Sequence, residues 1–371
     1  MNKNITIKNN STFVSSSSIK YFFFFFLLTN FIASPLFAQN EEQLLKDNFK
    51  SALNRYKSFE DEHRRHAKVK NVSLSYLEWG DKRNTKKVLV WLHGSLSNAY
   101  EFAPFADEFV AKGYRVISID QYNTGATPIP NFDASFDDLN DDIKALLDLL
   151  RIKKVTMGGF SRGGFLATSF YARYPSYLNA LILEDGGSVA FGTSYYKLNR
   201  KELQKKLQQV NLPQEIEDKY FGFYNDPFHA YCNLYDFETK GDQFEILSYL
   251  RPRENKWITY RGLPEYYHMK DSLQMAEALF GSPKVSDYAS SIIKIDPTKV
   301  FRNLSIPVLI LDANSPTDPT PVLTENKLLA EAHPTLIKLV VFNDVDHNIH
   351  YAYPNEFKKE VSAFLDKVYS R

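Results

Sequence analysis

A serine set between glycines is the first place in this 371-residue sequence where residue type and spacing could do covalent chemistry. Lys154 to Ala167 reads KVTMGGFSRGGFLA, and within it Gly159-x-Ser161-x-Gly163 has the spacing of a nucleophile elbow. A serine that attacks a substrate stands at the tip of a tight strand-to-helix turn. The residues two before and two after it crowd each other there, so both must be small. Val155-Thr156-Met157 reads as the buried strand leading in, and Phe165 to Phe170 as the helix leading out. The helix N-terminus then lies under the serine, where free N–H groups, that of Arg162 first, can hold a developing oxyanion. A second donor is expected from Ser95, in the loop His93-Gly94-Ser95 that follows the continuous apolar run Val88–Leu92. His93 is read as a hydrogen-bonder that orients this loop, not as a base.

The elements that must position these residues follow a rhythm. Val72–Trp79, Val88–Leu92, Tyr114–Asp120, Val155–Met157 and Leu181–Asp185 read as strands, with helical stretches at Phe102–Lys112 and Phe136–Leu150 between them. Strands alternating with helices predict βαβ units and a parallel sheet, with the active site at the C-terminal ends of the strands. Both the His93-Gly94 loop and Ser161 lie at such ends. From about Val189 to Val300 the rhythm stops, and the chain becomes rich in Tyr, Phe and charged helix formers. It resumes with strands at Ile306–Asp312 and Leu336–Phe342 and a final helix opening at Pro354.

The order of the His93-Gly94 loop, Ile117-Ser118-Ile119-Asp120-Gln121-Tyr122-Asn123-Thr124-Gly125 and Gly158-Gly159-Phe160-Ser161-Arg162-Gly163-Gly164 resembles the α/β-hydrolase family, in its cap-bearing branch of esterases, lipases, epoxide hydrolases and proline iminopeptidases. The resemblance covers roughly residues 70–370. It implies an α/β fold with a mostly parallel central sheet flanked by helices, and a mainly helical cap inserted after the sixth strand. It also implies a general base at His347, several residues before the Pro354-x-x-Phe357 helix start, with His350 its companion facing cap or solvent. The family's acid loop, with a pattern like G-x-x-D-x-x-x-P, matches best at Asp318; Asp312 and Asp185 are the alternatives. The chain departs from the pattern where the family has D-x-R-G-x-G, since the arginine is absent from Asp120–Gly125, and that loop is expected to meet substrate differently. Arg162 stands where the family has a small residue or Met.

The implied activity is a serine hydrolase cleaving a carboxylic ester of a small or medium acid, with no cofactor. The alternatives are a proline iminopeptidase-like aminopeptidase, for which Glu254, Glu265 or Asp271 would hold the substrate amine, and a binding protein that kept the fold. The cap aromatics are read mainly as packing, with some lining a pocket.

Composition sets the remaining bounds. A net charge of +1 and no basic stretch interleaved with aromatics give no reason to expect nucleic acid as a partner. The single cysteine, Cys232, excludes an intrachain disulfide, and no metal signature is present. Residues 1–40 contain no Asp or Glu; Lys3, Lys8 and Lys20 precede the apolar run Tyr21–Ala33, and Ser34–Ala38 resembles the approach to a signal-peptidase site. The expected organisation is a signal peptide over 1–38, an N-terminal helical extension over 39–66, core over 67–188, cap over 189–300 and core again over 301–371. Export to the periplasm or beyond is expected, without stable membrane insertion after processing.

Overall fold

The computed structural model describes residues 5–7, 35–212, 214–259, 264–318 and 321–370. Most of the segment read as a leader therefore lies outside the described residues. Ile5–Ile7 form a short strand, β1, and helix α1 spans Pro35–His63, so the expected cleavage point after Ala38 falls within its first turn. Among the described residues no helix is long and apolar enough to cross a membrane.

The central sheet contains β2 (Arg64–Lys68), β3 (Ser73–Trp79), β4 (Val88–Leu92), β5 (Arg115–Ile119), β6 (Val155–Phe160) and β7 (Leu178–Glu184). After a long excursion it is completed by β11 (Val308–Asn314) and β12 (Ile337–Asn343), in the order β1-β12-β11-β7-β6-β4-β5-β3-β2. Only β2 and β3 run antiparallel to their neighbours; every other pairing is parallel. This is the doubly covered sheet that the apolar runs predict. In β4, Val88, Val90 and Leu92 face one apolar cluster while Leu89 and Trp91 face the other. One cluster is closed by α3 (Phe136–Leu149) and α4 (Arg162–Arg173). The other is closed by α2 (Ala103–Ala111) and a C-terminal helix at Pro354–Tyr369.

Between β7 and β11 the chain leaves the sheet and forms mainly short helices. Those used below are α5 (Arg200–Gln209) and α6 (Asp287–Lys294). The excursion also carries a feature the sequence did not announce, a small antiparallel sheet of β8 (Phe223–Tyr224), β10 (Lys256–Thr259) and β9 (Leu250–Arg253). Its strands are two to four residues long, too short for alternation to register.

The N-terminal helix is more engaged than an outer amphipathic helix would be. The basic, polar stretch His63-Arg64-Arg65-His66 runs into strand β2 beside β3. Arg64 reaches the fully buried Asp120 at 2.6 Å and Glu60 at 3.0 Å. Glu60 in turn accepts from the Tyr100 hydroxyl at 2.5 Å. Further back, Ser51 and Arg55 both hold Asp242 of the excursion, at 2.6 and 2.5 Å. One helix is thus tied to the sheet at one end and to the inserted segment at the other.

Candidate active site

Ser161 leaves β6 with φ +51° and ψ −119°, a conformation disfavoured for a residue with a side chain and held only because its surroundings dictate it. Glycines make the surroundings possible. A Cβ on Gly159 would lie 2.3 Å from the Gly163 backbone, the crowding that the G-x-S-x-G spacing predicts. A Cβ on Gly163 would lie 2.0 Å from the Leu92 carbonyl, and one on Gly186 would lie 2.3 Å from the carbonyl oxygen of Ser161 itself. The elbow is therefore wedged between the ends of β4 and β7. Helix α4 begins at Arg162, directly beneath the serine, and its first N–H groups have no intrahelical acceptor.

The His93-Gly94 loop is pinned against this elbow. The buried Glu101 carboxylate accepts from the Trp91 indole N–H at 3.0 Å and from the Gly94 N–H at 3.1 Å, which leaves the next N–H, that of Ser95, as the one free to face a ligand. His93 is 1% exposed, and burial pushes its pKa below the ordinary histidine value. Its Nδ1 lies 2.7 Å from the Gly94 carbonyl, and its Nε2 accepts from the Gln121 N–H at 3.2 Å. A neutral ring buried in that network orients the loop. Sequence reasoning had no signal for Glu101, which lies seven residues downstream within a helical stretch.

The acid position is corrected by the geometry. His347 Nδ1 is hydrogen-bonded to the Asp185 carboxylate, not to Asp318. Register explains why. Phe160 of β6 pairs with Glu184 of β7, so the residues one step beyond, Ser161 and Asp185, emerge side by side at the same sheet edge. Asp185 also has φ +42°, turning its side chain out of the strand line. Asp318 sits four residues past the end of β11, in a loop drawn elsewhere: Ser315 and Thr317 both donate to Asp346, the latter at 2.7 Å. Asp318 remains near enough for its charge to be felt at His347 and at Lys206. Asp312 points into the protein, where it accepts from Asn326 and where burial raises its pKa to about 7. Burial works against charging the His347 ring, but the carboxylates of Asp185, Glu184 and Asp318 outweigh it and raise its pKa above the ordinary value.

His350 does not face cap or solvent. It is 1% exposed and holds Glu184 through both its N–H (2.9 Å) and its Nδ1 (2.8 Å), between the rings of Phe105 and Phe160. The Asp120–Gly125 loop is likewise built for structure. Asp120 accepts from the Ala99 and Ala126 N–H groups at 2.7 and 2.9 Å, and a Cβ on Gly125 would collide with its carboxylate at 2.0 Å. The loop's own aspartate, Asp120, takes its arginine partner from far upstream, in Arg64.

Ser161, Asp185 and His347 line one cavity of about 480 Å³, within the range of small-molecule sites. Its lining also includes Phe191, Tyr195, Tyr267, Met275 and Ile292. Asp271 instead accepts from Gln274 N–H at the start of a helix, and Glu254 is exposed in a turn between β9 and β10. Neither is among the cavity's lining residues. The Glu265 side chain lies outside the described residues. Among those residues no group of three or more His, Cys, Asp or Glu is arranged to hold a metal ion. A strained serine over a helix N-terminus, a carboxylate-bound histidine in the same cavity and a pinned glycine loop can together support nucleophilic attack on a carbonyl.

The profile of the family described as alpha/beta hydrolase fold matches residues 87–352, and the chain belongs to that family. Among sequence relatives, it is similar to a 2-hydroxy-6-oxononadienedioate/2-hydroxy-6-oxononatrienedioate hydrolase of Paraburkholderia phymatum, at 35% identity over 116 residues, which are 30% of this chain and 40% of the relative. The enzyme of that name from Escherichia coli K12 is 32% identical over 146 residues, 38% of this chain and 50% of the relative. The chain thus spans at most about half the length of these curated relatives. Among solved structures, an E-2-(acetamidomethylene)succinate hydrolase aligns over 82% of this chain and 98% of its own with a TM-score of 0.58 at 17% identity. A structure from a study of carboxylesterases of Nitrososphaera gargenis aligns over the same shares with a TM-score of 0.54 at 18% identity. These likenesses establish the fold.

Proposed function

We propose that the protein is an exported serine hydrolase that cleaves a carboxylic ester through an acyl-enzyme on Ser161. The observation that carries this reading is the pairing of His347 Nδ1 with Asp185 in the cavity that Ser161 also lines. With Nδ1–H held by the carboxylate, the imidazole is fixed in the tautomer whose Nε2 can accept a proton. The Ser161 hydroxyl proton passes to Nε2 as Oγ bonds to the ester carbon, and the carbonyl electron pair moves onto oxygen, facing the N–H groups of Arg162 and Ser95. The oxyanion collapses, the ester C–O bond breaks, and the Nε2 proton leaves with the alcohol. Water then repeats the sequence against the acyl-enzyme, with its proton passing through His347 to Ser161. Removing one oxyanion donor from such a site raises the barrier by about 3 kcal/mol.

Esterase chemistry is favoured over aminopeptidase chemistry because Glu254 and Asp271, two of the three carboxylates the amine-binding reading names, stand away from the cavity. The test is fluorophosphonate labelling of residues 39–371 beside Ser161→Ala and His347→Ala. Labelling of the wild type alone, with turnover of p-nitrophenyl esters and none of proline anilides, is expected. A folded wild type that takes no label sinks the reading. Export rests on Lys3, Lys8 and Lys20 ahead of the apolar run Tyr21–Ala33.

A further inference from the structure

The proposed mechanism uses only the backbone N–H of Arg162 and leaves its side chain unexplained. The residue is 4% exposed, beneath the inserted segment. Its Nε donates to Ser95 Oγ at 3.1 Å, but its two terminal nitrogens meet only the carbonyls of Tyr288 and Tyr267, each at 3.5 Å, the outer limit of a hydrogen bond. Among the described residues no carboxylate is paired with it; the groups whose charge it feels are the Tyr288 and Tyr267 hydroxyls. A guanidinium keeps its proton, so this is a buried cation without a counter-ion, an arrangement a protein normally avoids.

Beside the guanidinium lies a chamber of about 30 Å³, whose lining includes Arg162, Ser95, Leu96, Gln121 and Tyr267. Room for a water takes about 10–15 Å³ on this measure, so the chamber accepts one small polar group. Ser95, Leu96 and Tyr267 also line the main cavity, so the two spaces are neighbours on either side of the loop that carries the second oxyanion donor. A second cation faces the main cavity. Lys206 of α5 sits 4.5 Å over the Tyr195 ring and 3.5 Å from the Ser194 carbonyl, and it feels the charge of Asp318.

We propose that the chamber is a carboxylate subsite, in which Arg162 receives a free carboxylate of the substrate through its two terminal nitrogens while the ester carbonyl lies at Ser161. The preferred substrates are then half-esters of dicarboxylic acids. This rests on the ester-hydrolase reading and names its substrate class. A planar guanidinium matches a carboxylate in two parallel hydrogen bonds, which a neutral ester oxygen cannot reproduce.

The experiment compares monomethyl and dimethyl glutarate as substrates for the wild type, Arg162→Met and Arg162→Lys. The wild type should favour the monomethyl ester in kcat/KM, and Arg162→Met should lower that preference by about 100-fold, with Arg162→Lys between them. A wild type that prefers the diester, or an Arg162→Met whose two rates fall by one common factor, overturns the proposal. Calorimetry of glutarate on Ser161→Ala decides the same point without turnover, and stands if Arg162→Met does not fold. Saturable binding that Arg162→Met or Arg162→Lys weakens supports the subsite, and no binding refutes it. If fluorophosphonate fails to label Ser161 while glutarate still binds, the hydrolase reading falls and the subsite survives.

Discussion

Asp185 and Asp318 divide a role that the residues alone left open. Asp185 occupies Nδ1 of His347, while Asp318 contributes charge from a distance. Asp185→Asn should therefore lower kcat by about 10⁴-fold through loss of the correct tautomer. Asp318→Asn should stay within about tenfold, since a charge acting at range in a partly solvated site is weak. The pH profile gives a second readout. As the proposed base, His347 would work only when neutral, and nearby carboxylates raise its pKa, so activity should fall with acidification at a pH above the ordinary histidine midpoint. In Asp185→Asn the principal raising charge is gone, and the residual activity should extend to lower pH. Equal losses from the two substitutions, or an unmoved acid limb, would contradict the assignment. That Ser161, Ser95 and His347 line one cavity follows from strand ends legible in the sequence for the first two, and from the family resemblance for His347. The acid was not legible, because two strand ends each offered an aspartate and only the pairing of Phe160 with Glu184 selects between them.

At the scale of elements, the site depends on how closely three strand ends and one helix approach. Gly186 is the sharpest case, because a methyl there would press on the Cα of Ser161 at 2.7 Å and on its carbonyl oxygen at 2.3 Å, both backbone atoms that cannot swing aside. Gly186→Ala should destabilise the fold by about 1–3 kcal/mol and slow fluorophosphonate labelling of the protein that remains folded. An unchanged urea midpoint together with normal labelling would show that β7 and the elbow are less tightly wedged than described. The parallel strands were visible as continuous apolar runs. Strand β2 was not, because Arg64-Arg65-His66-Ala67-Lys68 carries an edge strand's charges, and its burial comes from one long side chain reaching Asp120. That reach spans 56 residues of sequence, and no local pattern encodes it.

For the whole molecule, processing after Ala38 would remove β1 and make β12 the free edge of the central sheet. Expression with the leader in a bacterial host, followed by mass measurement of the exported product, should give a chain starting at Gln39, and loss of Lys3, Lys8 and Lys20 would take its formal net charge from +1 to −2. A product that retains Met1 and stays with the cells would overturn the export proposal. Helix α1 has a consequence of its own. By holding Asp242 through Ser51 and Arg55, and Arg64 of β2, itself paired with Asp120, through Glu60, it acts as a brace across the boundary between platform and roof. The same roof supplies Phe191, Tyr195 and Lys206 to the lining of the cavity that Ser161 and His347 share, so the brace holds part of the site's wall as well as the fold.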